Sequence, residues 1–237
     1  MLVPLTRAKF EELVPLTATA VQYRHYWGDW TDLLRRLLIA FVTVLILLIV
    51  GKVMFEPGGD GALSIFIFVA GLYWLWAPVA QATWRNSEFR RIPYCGFWRG
   101  RVMDAFVTEE LIGVEETVDE QGNLVIVENR ERCINLEVGD ESGFSTQLQA
   151  PLRREHKLIR RGQDAEMLLL SSRSDLSRIV KHTDVYLPEI PLWVGDYPQL
   201  QHLSFEQVSA DLAEEFPPRD TRRAARRRRS ARNSYAR

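Results

Sequence analysis

Two long apolar runs, parted by a short polar break, dominate the pattern between Leu37 and Ala82, and mixed polar segments flank them on both sides. The first, LLIAFVTVLILLIVGKVMF from Leu37 to Phe55, is interrupted only by Lys52 and has the roughly twenty residues needed to cross a bilayer core. After EPGGDG, Ala62 to Ala82 reads ALSIFIFVAGLYWLWAPVAQA without a charge, long enough for a second span. Backbone groups in hydrocarbon must pair within their own segment, so both runs are expected as helices. Lys52 can snorkel to the interface, and Pro78 falls in the last turn or two of the second helix, where a kink is tolerated. The pattern therefore predicts a transmembrane hairpin over 37–84, with spans at about 37–55 and 62–82.

The flanks orient it. Arg24, Arg35 and Arg36 precede the first span, and Arg85, Arg90, Arg91, Arg99 and Arg101 follow the second, whereas the break offers Lys52 against Glu56 and Asp60. By the positive-inside rule both termini are cytoplasmic. Trp27, Trp30, Trp74, Trp76 and Trp84, with Tyr23, Tyr26 and Tyr73 among them, are candidate membrane-interface anchors, since the headgroup layer accepts an apolar ring and its polar tip together. Tyr23, Trp27, Trp30 and Leu34 recur at helical steps, which predicts either an amphipathic approach helix or a continuation of the first span. A shorter helix from Thr6 to Val14 places Phe10, Leu13 and Val14 on one side, to pack on the membrane or on the soluble domain, so 1–36 reads as a cytoplasmic interfacial segment. Neither span has an ionisable group at mid-depth, which argues for an anchor over a transport pathway.

From Tyr94 to about Pro191 short alternating runs broken by turns predict a small antiparallel β domain, within a cytoplasmic region covering 85–200. A hairpin arm ends near Val118, turns over 119–123 and returns from Leu124. Cys133 to Val138 reads as a strand with Ile134, Leu136 and Val138 inward, then a turn into Phe144 to Leu148. Lys157 to Arg161 and Ala165 to Ser171 supply further strands, the latter central because its apolar run is continuous. Five or six strands suggest a compact barrel of the OB or SH3 kind. Ser174 or Asp175 is expected to cap a short helix burying Leu176, Ile179 and Val180, and Ser204 with Gln207 to cap an amphipathic helix over 201–216. Between them the strap TDVYLPEIPLWVGDYPQL covers the barrel with Tyr186, Leu187, Leu192, Trp193 and Tyr197. The fold class is thus an α+β membrane protein, a two-helix hairpin followed by a β-rich cytoplasmic domain with a C-terminal helix.

Charge changes the picture at one end. Net charge is −1, yet the stretch from Pro217 holds nine Arg and one Asp, leaving about −9 before it. This segment, 217–237, lacks apolar periodicity and is expected to be disordered, with Arg222, Arg223, Arg226, Arg227, Arg228, Arg229 and Arg232 as candidate contacts to anionic lipid or an acidic protein partner. Nucleic acid is the weaker alternative, because Tyr235 alone could stack a base there. From Asp104 to Glu141 twelve acidic side chains meet only Arg130 and Arg132, a negative face suited to a basic partner. Cys95 and Cys133 read as free thiols, and the four histidines lack ligand spacing, so no metal or other cofactor is expected. Phosphate-loop, dinucleotide, nucleophile-elbow and zincin motifs are missing from the sequence, which points to a protein that is not an enzyme.

The opening MLVPLTRAKFEELVPLTATAVQYRHYWGDWTDLLRRLLIAF, the two spans and the GDYPQL strap resemble a group of small cyanobacterial two-span membrane proteins often catalogued as phosphate transporter permeases. That resemblance implies a plasma or thylakoid membrane. The arrangement also looks like photosystem assembly proteins that carry two early spans and a stromal β domain, a likeness of architecture. The leading expectation is a membrane-anchored accessory, assembly or scaffold protein of a membrane complex. Its alternatives are a small subunit of a phosphate-type transporter and a membrane-tethered RNA-binding module.

Overall fold

The computed structural model describes residues 1–54, 61–118 and 124–215. In chain order these form strand β1 (Leu2–Pro4), helices α1 (Arg7–Leu13), α2 (Ala20–Trp27), α3 (Trp30–Met54), α4 (Gly61–Gly71) and α5 (Tyr73–Arg90), then strands β2 (Tyr94–Val118), β3 (Leu124–Gly139), β4 (Ser145–Pro151), β5 (Asp164–Ser171), β6 (Ile179–His182), β7 (Val185–Leu187) and β8 (Leu192–Val194), and helix α6 (His202–Glu215). The class is α+β, with one antiparallel sheet ordered β4-β3-β2-β5-β7-β8, β1 added to β2 and β6 to β5.

β2 organises the sheet because it is long enough to serve two neighbourhoods. Its first half, Tyr94–Arg101, pairs with β5 and, at Gly96–Trp98, with β1. Its second half pairs with β3 from Arg101 to Val118, through bulges at Val102/Asp104 and Leu111/Gly113. β4 covers β3 only over Cys133–Gly139, so beyond Thr108 and Cys133 the β2–β3 pair continues as a two-stranded ribbon.

Alternation along β5 sends Ala165, Met167 and Leu169 to one face and Leu168 and Leu170 to the other, and all five are buried, which explains the continuous apolar run of a central strand. The first face joins Trp98, Ile134, Leu136, Val138, Leu148 and Val194 in a core built by the strands themselves. The second is covered by helices: Phe10, Leu13 and Val14 of the α1 segment, Phe89 of α5, and Phe205 and Val208 of α6 pack on Phe97, Leu168 and Leu170. Beneath α6 the Arg99 guanidinium meets Glu166 at 2.6 Å, both buried, and burial raises the Glu166 carboxyl above the usual range although Ser209 and Arg99 pull it down.

Several expectations need correction. The sheet is open, not an OB- or SH3-like barrel: among the described strands β4 and β8 are its edges and do not pair. Closure is dispensable because β8 is only three residues long and offers little free edge. The second apolar run is not one helix, since it breaks at Leu72 and bends by 77°, six residues before Pro78, through which α5 continues. Arg154–Leu158 forms a 3-10 turn where the pattern predicts a strand from Lys157, because His156 folds inward and its Nδ1 accepts from the Arg153 amide at 3.1 Å. No helix follows Ser174. Leu176 takes a positive φ of 56° to reach the interior, and Ile179 begins β6, whose Val180 is exposed. The 1–36 segment is likewise not interfacial throughout, because β1 and α1 belong to the sheet domain. The hairpin turn 119–123, Phe216 and the Arg-rich tail lie outside the described residues.

Candidate membrane interface and its joint to the sheet domain

α3 is the helix whose length and composition suit a bilayer: in Trp30–Lys52, 11% of the most apolar stretch is buried. Leu38, Phe41, Ile46 and Ile49 are 63%, 67%, 54% and 56% exposed, which in water would be a large unpartnered apolar surface. The adjoining α4 runs back along it. A Cβ at Gly51 would strike Leu63, and one at Gly71 would touch Val44, so small residues let the helices approach at both levels. α4 has no buried residue, and Ile65, Phe66 and Phe68 are each about two-thirds exposed, at 64%, 64% and 67%.

The break at Leu72 has its own internal bond. Where the helix ladder is interrupted, the Trp76 indole Nε1 donates to the Val69 carbonyl at 2.9 Å, supplying a partner that hydrocarbon cannot. Around it the aromatic residues cluster: Tyr73 edges onto Trp76, Trp74 onto Trp27, and Trp27 lies against Tyr23, whose hydroxyl donates to the Leu75 carbonyl. Trp30 and Trp84 are outside this cluster and open, at 68% and 69% exposed. The structure thus brings Trp27 and Trp74 together, sets Trp76 against Tyr73, and leaves Trp30 and Trp84 apart.

α2 is the hinge piece. Thr19 and Gln22 form a reciprocal cap at its start, and Gly28, at φ 64°, turns the chain into α3. Arg36 reaches back from α3 to the Tyr26 and Trp27 carbonyls, a cation at the C-terminal end of a helix dipole. Arg90 plays the same part for α1, donating to the Glu11 and Val14 carbonyls at 3.0 and 2.8 Å.

The joint to the sheet domain is polar and buried. Gln22 and Asn86, 0% and 2% exposed, exchange side-chain hydrogen bonds at 3.1 and 2.9 Å, and Gln22 also donates to the Pro198 carbonyl. Gly195–Leu200 is the GDYPQL strap: Arg85 sits 4.1 Å over the Tyr197 ring and 4.0 Å from Asp196, while His25 and Tyr26 pack on the same ring. Burial pushes the Tyr197 hydroxyl far above its usual value. The sequence pattern reveals this strap and suggests a cover for the strands, with a peptide-like interaction surface as the alternative. Its partners lie more than a hundred residues earlier, so no local signal reveals that it is the seat of α2 and α5.

Gln22→Leu leaves the buried Asn86 amide and the Pro198 carbonyl without partners and is expected to cost about 2–3 kcal/mol. Adding Asn86→Leu removes one orphan and recovers about 1 kcal/mol, a non-additivity read by denaturant unfolding in detergent.

Acid acts on the same joint. Partial burial holds His25 below the usual imidazole value, with Arg85 and Arg153 adding to that and Asp196 opposing it. A histidine depressed in the fold favours the neutral ring, so its stabilising share is complete above the unfolded value of about 6.5 and is lost as pH falls through it toward the lower folded value. His25→Phe, which keeps an aromatic ring against Tyr197, is expected to lose less Tm than wild type between pH 7.5 and 5.5, as thermal denaturation will read.

Beside the strap, His202 Nε2 lies 3.1 Å from the buried Asp184 carboxylate, and Trp193 stacks on the imidazole at 3.9 Å and 4°. Burial raises the Asp184 carboxyl despite His202. Gly195 is required here, as a Cβ would come within 2.7 Å of the Asp184 Cβ. Such a pair is the base half of a hydrolytic triad. Among the described residues, however, no Ser, Thr or Cys side chain hydrogen-bonds His202, and the Thr183 hydroxyl is committed to backbone partners. The pair fastens α6 to β7. Cys95 is buried and its thiol pushed up to about 12, which makes it a packing residue. Among the described residues no cluster suits a metal ion.

No curated protein and no solved structure matches the chain. A family model matches residues 3–216, which takes in the apolar helices, the strap and the sheet alike, and the chain belongs to that family, DUF8619, a family of unknown function.

Proposed function

We propose that the protein is a membrane-anchored accessory or assembly module: a helical hairpin fixes the sheet domain at the cytoplasmic face of a membrane, where the domain docks on a membrane protein complex. One observation carries this reading. The segments before and after the apolar helices share one core, for α1 supplies Phe10, Leu13 and Val14 to the face that β2, β5 and α6 complete. A chain that leaves a folded domain and returns to it crosses a bilayer an even number of times. If α3 crosses, α4 and α5 must bring the chain back. A cleaved leader ending at α3 fits poorly, because cleavage would strip these core residues from the domain.

The arginine asymmetry supports a cytoplasmic domain, and the uncharged middle of α3 supports anchoring over conduction. Docking is supported by the β2–β3 ribbon, where Leu111, Leu124 and Ile126 are 50%, 73% and 65% exposed among acidic residues. The reading is non-enzymatic, since the Asp184–His202 pair is committed to fastening the strap. Affinity purification in mild detergent with mass spectrometry tests it: stoichiometric recovery of one membrane complex is expected, and a free monomer under several extraction conditions would overturn it.

A further inference from the structure

The 77° bend leaves α5 almost perpendicular to α4, and α5 has two unlike faces. Ala77, Pro78, Ala82, Asn86 and Phe89 are buried against the rest of the chain. On the opposite side Trp76 and Trp84 are 40% and 69% exposed, and Ala80 is exposed between them. The stripe ends at Glu88, which meets Lys181 at 3.8 Å.

We infer that α5 lies in the plane of the membrane, in the leaflet on the side of the sheet domain, with this stripe sunk in the boundary between headgroups and acyl chains. The inference rests on the anchor reading and deepens it. Continuity with the span names the occupant: α5 is joined to α4 through the single residue Leu72, and packs on α3. Depth agrees. Gly71 lies beside Val44, seven residues and about 10 Å inside Leu37, and interfacial helices sit about 5–10 Å into the boundary. Composition agrees too, since both exposed large side chains of this face are Trp, the residue that favours this layer. Length supplies the reason: the eleven residues of α4 rise only about 16 Å, too short to cross alone. The return is therefore completed by α5 running sideways through the leaflet, which holds the sheet domain close to the surface at a fixed tilt.

Nitroxide labels on single cysteines, in a Cys95→Ala, Cys133→Ala background reconstituted in phosphatidylcholine vesicles, test this. Ala80→Cys and Ser87→Cys are seven residues and two turns apart, so they share a face and lie about 10 Å apart along the helix. With α4 along the bilayer normal, a 77° bend reduces their difference in depth to about 2 Å, measured by oxygen against nickel-chelate relaxation. A difference near 10 Å would mean a straightened span and would overturn the inference while leaving the anchor standing. Water-like accessibility at Phe41→Cys and Ile46→Cys would instead remove the anchor reading and this inference with it. Should a labelled variant not fold, the difference in fluorescence between the intact chain and Trp84→Phe, in lipids brominated at graded depths, gives a second reading. Quenching strongest at the shallowest bromine is expected, and no quenching overturns the proposal.

Discussion

Replacing Phe41 and Ile46 together with arginine should release the protein from membranes. Both side chains lie near the middle of α3 and are more than half exposed, so no protein core compensates for the change. Each arginine costs about 2.5–3.5 kcal/mol at the centre of a span, and the pair about 5–7 kcal/mol, enough to reverse the insertion of one modest helix. Carbonate extraction of membranes reads the outcome: wild type stays in the pellet and the double variant moves to the supernatant or is degraded. Pelleting of both alike would count against α3 as a span. Thr43→Val is the matched control, because the Thr43 hydroxyl is already satisfied by the Ile39 carbonyl at 2.7 Å and its loss should leave the protein in the membrane.

The second large effect lies in the core shared by α1 and the sheet. Phe10→Ala should cost about 3–5 kcal/mol, because the ring is 1% exposed and its removal leaves a cavity between α1 and the sheet. For a chain of this size that is a fall in Tm of roughly 6–20 °C. Leu13→Ala, at 0% exposure, should cost about 2–5 kcal/mol, and the double variant approaches the whole stability of an ordinary domain. Limited proteolysis of the sheet domain, as well as of the N-terminus, should accelerate. Clipping confined to residues 1–14 would show instead that the segment is an appendage, and the even-crossing argument would lose its footing.

The same contacts refine the charge argument. Arg36, Arg90 and Arg99 enter the positive-inside count, yet in the folded protein they bond the ends of α2 and α1 and the buried Glu166. On the anchor reading proposed above, their topological effect acts on the inserting chain, whereas their structural effect begins once the domain has closed. Arg24, Arg35, Arg91 and Arg101 are exposed, so their charge still faces the surroundings after folding.

What the sequence determined by itself is what local chemistry writes in short range. Apolar run length marked α3, because the nineteen residues from Leu37 with one late lysine match the thickness of a bilayer core. Alternation marked the later half of β3, with Ile134, Leu136 and Val138 inward, since the pleat fixes which side chains share a face, and a continuous apolar run marked β5. Spacing of Phe10, Leu13 and Val14 marked α1, and the Thr6 side chain caps it as that pattern requires. Phe205 and Val208 marked the inner face of α6 in the same way.

Tertiary structure decided what depends on partners distant in sequence. The apolar run from Ala62 holds no proline or charge at Leu72, so its break is visible only once Trp76 turns its indole to Val69 and Trp27 meets Trp74. Leu176, Ile179 and Val180 suit a helix by spacing, but β5 offers a free edge to Ile179–His182, and pairing with that edge outweighs a weak local preference. Closure into a barrel was a choice among long-range pairings, which alternation cannot rank. The GDYPQL strap carried the most information and the least local meaning: its role follows from Gln22, His25 and Arg85, which reach it only after α3, α4 and α5 have returned the chain to its own domain.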